Sequence, residues 1–263
     1  MLLTGELVDQ LHAFRVGMMM RSTGVLKDLF DQVDGAAIGT GYATFAGDGS
    51  PTTQVYGIGH RDSVTDLTEV DEFYNGRTSN WELIVTPFTS SEVLKQASEL
   101  GYVADHFETV LAQIGEPKPL ESPSNITIEE ITGDLELWSR VSEAGWMGFD
   151  EPVKEVSEIG KLIAAYPSRR FLGFIDGQAA ATASLVALDG KFMFAGASTM
   201  PKFRGRGLQT ALTHHRLAVA GKGSLVQVVA LPGSQSHRNL QRIGFEPLYS
   251  KLVMFRHRPD SQS

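Results

Sequence analysis

The stretch Phe203–Leu212, FRGRGLQTAL, decides how this chain is read. It places two arginines and two glycines in four residues, Arg204 to Gly207, and then enters an apolar pattern with helical spacing. Glycines let the backbone curl and let a ligand approach without a Cβ in the way. A helix N-terminus exposes unpartnered N–H groups and carries partial positive charge. Together these features suit an anion, phosphate above all. An ordinary exposed turn accounts for the glycines but not for the charge around them.

That charge is set against the rest of the chain. The 263 residues carry a formal net charge of −8, from 31 acidic and 23 basic side chains. Yet from Gly190 to Phe245 there is no Asp or Glu, while Lys191, Lys202, Arg204, Arg206, Arg216, Lys222, Arg238 and Arg242 fall inside the window. Clearing carboxylates from one segment of an acidic protein focuses positive potential there. The net charge argues against general nucleic-acid or membrane-surface binding. Other phosphate motifs fit less well. Gly221-Lys222 lacks the glycine spacing and the Ser/Thr of a P-loop, and Gly205-Arg206-Gly207 lacks the third glycine of a dinucleotide fingerprint.

The chain has no cysteine, which excludes disulfides, thiolate metal sites and a cysteine nucleophile. No metal-ligand spacing stands out either. The start, MLLTGELVDQLHAF, lacks the order of a signal peptide, and the run VGMMM is too short for a bilayer. A cytoplasmic protein is the expectation.

The Pro-rich segment GEPKPLESPS, residues 115–124, reads as a boundary between two halves. The expected organisation is a domain over 1–116, a linker over 117–124 and a domain over 125–263. In the second half, strands are expected at NITIEEIT, RRFLGFI, QAAATASLVAL, KFMFAGASTM and SLVQVVAL, with two strand-like segments in FEPLYSKLVMFR. Helices are expected at LELWSRVSEAGW, VKEVSEIGKLIAAY, LQTALTHHRLAVA and SQSHRNLQRI. Asp176-Gly177 and Asp189-Gly190 between apolar runs predict tight hairpins. The class is α/β, a mixed sheet with helices on both faces. The first half repeats the pattern strand, Pro, helix, Gly-aromatic, strand at WELIVTPFTSSEVLKQASELGYVADHFETVLAQ, and GAAIGTGYATFAGDGSPTTQVYGIG reads as a hairpin turning at DGS. A diverged internal duplication is expected.

With these residues in view, STMPKFRGRGLQTAL resembles motif A of the Gcn5-related N-acetyltransferases (GNATs), whose pattern is Arg/Gln-x-x-Gly-x-Gly/Ala. The resemblance covers roughly residues 125–258, and the first half looks like a degenerate copy without the Arg-Gly loop. It implies two GNAT-like domains, each a mixed, mostly antiparallel sheet flanked by helices, with the working site in the second. It implies that Arg204, Gly205, Arg206, Gly207, Leu208, Gln209 and Thr210 hold the pyrophosphate of acetyl-CoA. It further implies that Ser198, Thr199 and Met200 hydrogen-bond the pantetheine arm, with a backbone N–H near Thr199 or Met200 for the oxyanion, and that Ser236 and Asn239 flank the arm. Two positions depart from the pattern. Gln209 replaces a small residue, and Leu240 stands where the family often has the tyrosine acid.

The implied activity is acetyl transfer from acetyl-CoA to an amine, the acceptor being a small molecule. No carboxylate base comes from residues 190–245, so the base must come from the front of the second half, from the first half, or be a histidine. Trp146, Phe149, Asp150 and Glu151, between the two front helices, form a candidate aromatic and acidic wall for a cationic amine. Tyr249 is a weak candidate acid, and His214 and His215 are expected to be structural. The alternative is a non-catalytic CoA-binding regulatory protein on the same fold. A further reading makes the chain an interaction module, the first half supporting dimerisation. No nucleic-acid or membrane partner is expected, and both monomer and homodimer remain open.

Overall fold

A computed structural model describes residues 2–61, 63, 65–114 and 123–256. In chain order its elements are α1 (Gly5–Lys27), β1 (Asp34–Ile38), β2 (Gly41–Phe45), β3 (Gln54–Tyr56), α2 (Thr68–Tyr74), β4 (Glu82–Val85), α3 (Ser91–Glu99), β5 (Val103–Ile114), β6 (Ile126–Ile131), α4 (Glu136–Met147), α5 (Glu158–Ala165), β7 (Arg169–Ile175), β8 (Gln178–Leu188), β9 (Lys191–Thr199), α6 (Leu208–Ala220), β10 (Leu225–Ala230), α7 (Gln235–Ile243) and β11 (Glu246–Phe255). They form two compact units. One is Leu111–Pro247; the other is Leu2–Val110 with the chain from Leu248 onward. Residues 115–122, most of the expected linker, lie outside the described residues.

In the N-terminal unit the strands lie in the order β1-β2-β3-β4-β11, antiparallel except for the parallel pair β3 and β4. Alternation of side chains along these strands separates two faces. One carries Ile38, Ala43, Val55, Leu83, Val85, Leu252 and Met254, which bury an apolar core with Val70 of α2 and Val93 and Ala97 of α3. The other carries Thr44 and Gln54, which meet α1 through Thr23 and Arg15. Helix α1 starts at Thr4, whose hydroxyl accepts the Leu7 N–H at 3.2 Å, a side-chain cap that supplies a missing partner. The segment DGS does join two antiparallel strands, β2 and β3, but a tighter turn at Gly39-Thr40 precedes it and adds β1.

In the C-terminal unit the order is β10-β9-β8-β7-β6, antiparallel except for β10 and β9. Both predicted Asp-Gly turns form with positive φ at each residue: Asp176 at 51° and Gly177 at 75°, Asp189 at 48° and Gly190 at 71°. That is the backbone of a type I′ turn, whose twist matches the flanking strands. The core gathers Trp138, Val141 and Ala144 of α4, Phe171 of β7, Leu208, Leu212 and Leu217 of α6, and Leu240 and Ile243 of α7. Leu111 of β5 joins it. The two strand segments expected at residues 245–256 are one strand, β11. Pro247 sits next to its start, a position where the missing N–H breaks no interior ladder. The residues of β11 from Leu248 on belong to the N-terminal unit, where Leu252 pairs with Val85.

Across the described residues no helix is long and apolar enough to cross a membrane.

Candidate functional site

Strand β9 carries the site's first irregularity. Its pairing with β8 runs from Thr182↔Ser198 to Ser184↔Ala195, so two residues of β9, Gly196 and Ala197, face one of β8, Ala183. This is a β-bulge, and Gly196 takes the left-handed φ of 55° that it needs. Three hydroxyl contacts hold it. Thr182 Oγ1 donates to the Gly196 carbonyl at 3.3 Å and lies 2.9 Å from Ser198 Oγ, which donates to the Ser142 carbonyl of α4 at 3.1 Å. Thr182, Ser142 and Gly196 carried no signal in the sequence, because their partnership depends on pairing between distant segments. The Ser198 side chain is thereby buried against α4.

The second irregularity is on the other side of β9. Parallel pairing with β10 is confined to Val226↔Phe192 and Gln227↔Met193. Beyond those pairs Val228–Ala230 and the end of β9 diverge, leaving strand backbone without a ladder partner between them. Unpaired backbone groups at such a split are open to a ligand.

Helix α6 begins beside the end of β9. Residues Pro201–Phe203 form a single tight turn with Phe203 buried, and Gly205 (φ 75°) and Gly207 (φ 90°) then curl the chain into the helix. Gly207 is the N-cap and offers no side-chain acceptor. The Ala211 N–H bonds the Gly207 carbonyl at 2.9 Å, whereas among the described residues nothing accepts from the N–H groups of Leu208, Gln209 or Thr210. Those groups and the helix dipole make an anion-binding terminus. Of the two arginines, Arg206 lies exposed over the Phe203 ring. Arg204 is committed: its guanidinium donates to the carbonyls of Thr199 and Gly145, both at 3.0 Å. It locks the loop to β9 and α4 while leaving its charge nearby. Among the described residues no carboxylate pairs with either.

The structure brings the expected acceptor residues to this loop. Helix α4 ends at Gly148 in the left-handed region (φ 79°), and Asp150 Oδ1 accepts the Lys202 N–H at 2.8 Å while Glu151 pairs with the Lys202 ammonium. Trp146 and Phe149 are 65% and 50% exposed, so the aromatic faces are open while both acids are engaged. The Met200 N–H, expected as an oxyanion donor, instead bonds the Ala180 carbonyl at 3.0 Å. Ser236 and Asn239 lie on α7, and both hydrogen-bond Gln209. Leu240 is 3% exposed and packs in the apolar core.

The remaining candidates stand elsewhere. Tyr249 packs in the N-terminal unit, edge-on to Phe88 at 5.3 Å and hydrogen-bonded to Tyr56. Burial, reinforced by Tyr56, raises its pKa far above the ordinary phenol value. His215 sits edge-on to Phe171 at 5.1 Å, and burial lowers its pKa. Among the described residues no three metal-ligating side chains converge.

The split between parallel strands, the bulge beside it and the glycine-capped helix can be set beside known structures. A GCN5-related N-acetyltransferase from Kribbella flavida is similar over 96% of this chain and 96% of its own, with a TM-score of 0.63 and 17% identity. The chain has the GNAT fold. A protein of the GNAT family from Novosphingobium aromaticivorans DSM 12444 is similar over 92% of this chain and 97% of its own, with a TM-score of 0.54 and 16% identity. A tandem GNAT protein from the clavulanic acid biosynthesis pathway aligns over 84% and 83%, with a TM-score of 0.51 and 13% identity. No protein-family model and no curated protein matches the sequence. At these identities the likeness establishes the GNAT fold and leaves the chemistry to be argued from the site.

Proposed function

We propose that this chain is an acetyl-CoA-dependent N-acetyltransferase, with its site in the C-terminal unit and a small-molecule amine as acceptor. The observation that carries the reading is the divergence of β9 and β10 after Met193 and Gln227, next to a helix whose first-turn N–H groups have no partner among the described residues. The N–H groups of Leu208, Gln209 and Thr210 would hold the pyrophosphate, with Gly205 and Gly207 giving access and Arg206 supplying charge. The open edge of β9 near Thr199 would pair with the amides of the pantetheine arm. The bulge at Gly196 sets where that edge turns.

Acetyl-CoA supplies an acyl group on a thioester, which a neutral amine attacks. The C–N bond forms, the C–S bond breaks, and the amine's proton passes to solvent or a base. With Leu240 in the core, no acid is available from that position. A thiol pKa near ~8.5 lets the thiolate leave unprotonated. Trp146 and Phe149 offer aromatic faces to the acceptor, with Asp150 and Glu151 behind them. On this reading the N-terminal unit is a degenerate GNAT-like copy, and a cysteine-free enzyme that consumes acetyl-CoA works in the cytoplasm.

The buried Leu240 favours a second reading, a CoA-binding regulatory protein that does not turn over. Thiol release from acetyl-CoA with a panel of amines separates the two. Release that depends on the amine supports the enzyme. Saturable acetyl-CoA binding with no release on any amine supports the regulator, and absence of binding removes both.

A further inference from the structure

The first turns of α6 and α7 are joined by one side chain. Gln209 Nε2 donates to Ser236 Oγ at 2.8 Å, and Gln209 Oε1 accepts from Asn239 Nδ2 at 2.7 Å. Asn239 Oδ1 is filled in turn by Gln235 Nε2 at 2.7 Å and an Arg242 guanidinium N–H at 2.8 Å. The network is half-buried, and every oxygen in it has a donor. Counting the hydrogen-bonding capacity of these groups, three donors remain unspent among the described residues, the second N–H of Gln209, the second N–H of Asn239 and the Ser236 hydroxyl proton, beside one lone pair each on Gln209 Oε1 and Ser236 Oγ. Those donors are neutral.

The location gives this bridge a use. α6 follows β9 and α7 follows β10, the two strands that part after Met193 and Gln227. A side chain tying the two helix starts therefore fixes how far apart the elements stand beyond the split.

We infer that Gln209 is a positioning residue that sets the width of this crevice and holds Asn239 and Ser236 ready to donate to the amide carbonyls of an acyl-CoA's pantetheine arm. The inference rests on the acyl-CoA reading above. It assigns the bridge to the arm and not to the phosphates, because the bridge stands on the helices that follow the parting strands, while the first-turn N–H groups of α6 and Arg206 already provide for the phosphates.

The test compares two ligands by calorimetric titration: CoA, and its arm-less fragment adenosine 5′-diphosphate 3′-phosphate. Gln209→Met keeps length and removes both hydrogen bonds. Losing one to two such bonds predicts an approximately tenfold weaker CoA affinity, with the fragment changed by less than about twofold. Unchanged CoA affinity, or equal loss for both ligands, overturns the inference. If Gln209→Met does not fold, Ser236→Ala cuts one end of the bridge and must show the same preference, about threefold, for harming CoA over the fragment. Failure of the unaltered protein to bind either ligand sinks the acyl-CoA reading itself.

Discussion

Gly145 of α4 and Ser198 of β9 approach so closely that a Cβ on Gly145 would stand 2.6 Å from Ser198 Oγ, 2.8 Å from its Cβ and 3.1 Å from the Thr199 nitrogen. The helix lies directly on the bulged part of the strand. Alanine favours a helix over glycine by about 1 kcal/mol, but forcing a methyl into a filled interior costs about 1–3 kcal/mol. Part of the obstruction is strand backbone, which cannot swing aside, so overpacking wins. Gly145→Ala is expected to lower stability by about 1–2 kcal/mol and to weaken acetyl-CoA binding by shifting Thr199. Denaturant unfolding and calorimetry check both; a stabilised protein with unaltered binding contradicts the account.

Gly207 separates backbone strain from charge. Its φ of 90° is costly for any side chain, although the nearest obstacle to a Cβ is Ile126 Cδ1 at 3.8 Å. Gly207→Ala should cost about 1–2 kcal/mol of stability through conformation alone. It should still be stabilised by acetyl-CoA, which at ~100 times its dissociation constant adds about 2.7 kcal/mol. Gly207→Asp adds a negative charge at the helix terminus and should lose the ligand response. Equal ligand-induced shifts in the two variants would rule out an anion cradle.

Arg216 is a cation in an apolar core. It is 2% exposed, donates to the carbonyls of Leu212 at 3.2 Å and Ser184 at 3.0 Å, and lies 3.9 Å from the centroid of Phe194. Burial lowers its pKa. Ser184 is the residue of β8 at the bulge, so the guanidinium helps to secure that irregularity from α6. Arg216→Ala leaves a cavity and an unpaired carbonyl and is expected to cost about 3 kcal/mol. Arg216→Met fills most of the volume and no longer buries a charge, so it should cost less than the alanine variant. Chemical denaturation of the pair gives the order; Met at or below Ala in stability refutes it.

His12 and His60 stack at 3.9 Å with their rings 11° apart, and His12 Nε2 lies 3.0 Å from the Thr40 carbonyl. Burial, then the neighbouring His60, lowers the pKa of His12 below its ordinary 6.5. The folded protein therefore takes up a proton there less readily than the unfolded chain. The stability linked to His12 is complete above pH 6.5 and is lost as pH falls towards the folded-state pKa. Asp9, held down chiefly by its hydrogen bond to His60, acts below its ordinary 3.8 and leaves this window alone. His215 shifts the same way in the other unit, so His12→Gln should flatten, without abolishing, the fall in melting temperature between about pH 7 and pH 5. An unchanged slope would exclude His12.

The features that were legible in the sequence are those set by neighbouring residues. The Asp-Gly pairs dictate their turns, because both positions must take positive φ. The glycines of the Arg-Gly loop behave likewise, with Gly205 at φ 75° and Gly207 at φ 90°. Helix α1 was missed, although Thr4 caps it and Leu11, Phe14, Met18 and Ser22 recur on its buried face; Gly17 and Gly24 blur the pattern. The bulge was invisible because Ser198 finds Ser142 only when α4 is laid on the sheet. For the same reason a single residue could show that Arg204 is basic but not that its guanidinium would be occupied by Thr199 and Gly145.

The placement of β11 bears on the order of events during synthesis. The strand that pairs with β4 is the last of the described elements to leave the ribosome, so β4 must wait for it with one edge bare. Exposed strand edges recruit other chains, and pairing between distant segments is slow. The unit whose chain begins first is thus the unit that closes last, and truncation after Pro247 would remove a strand from the far end of the sequence's own beginning.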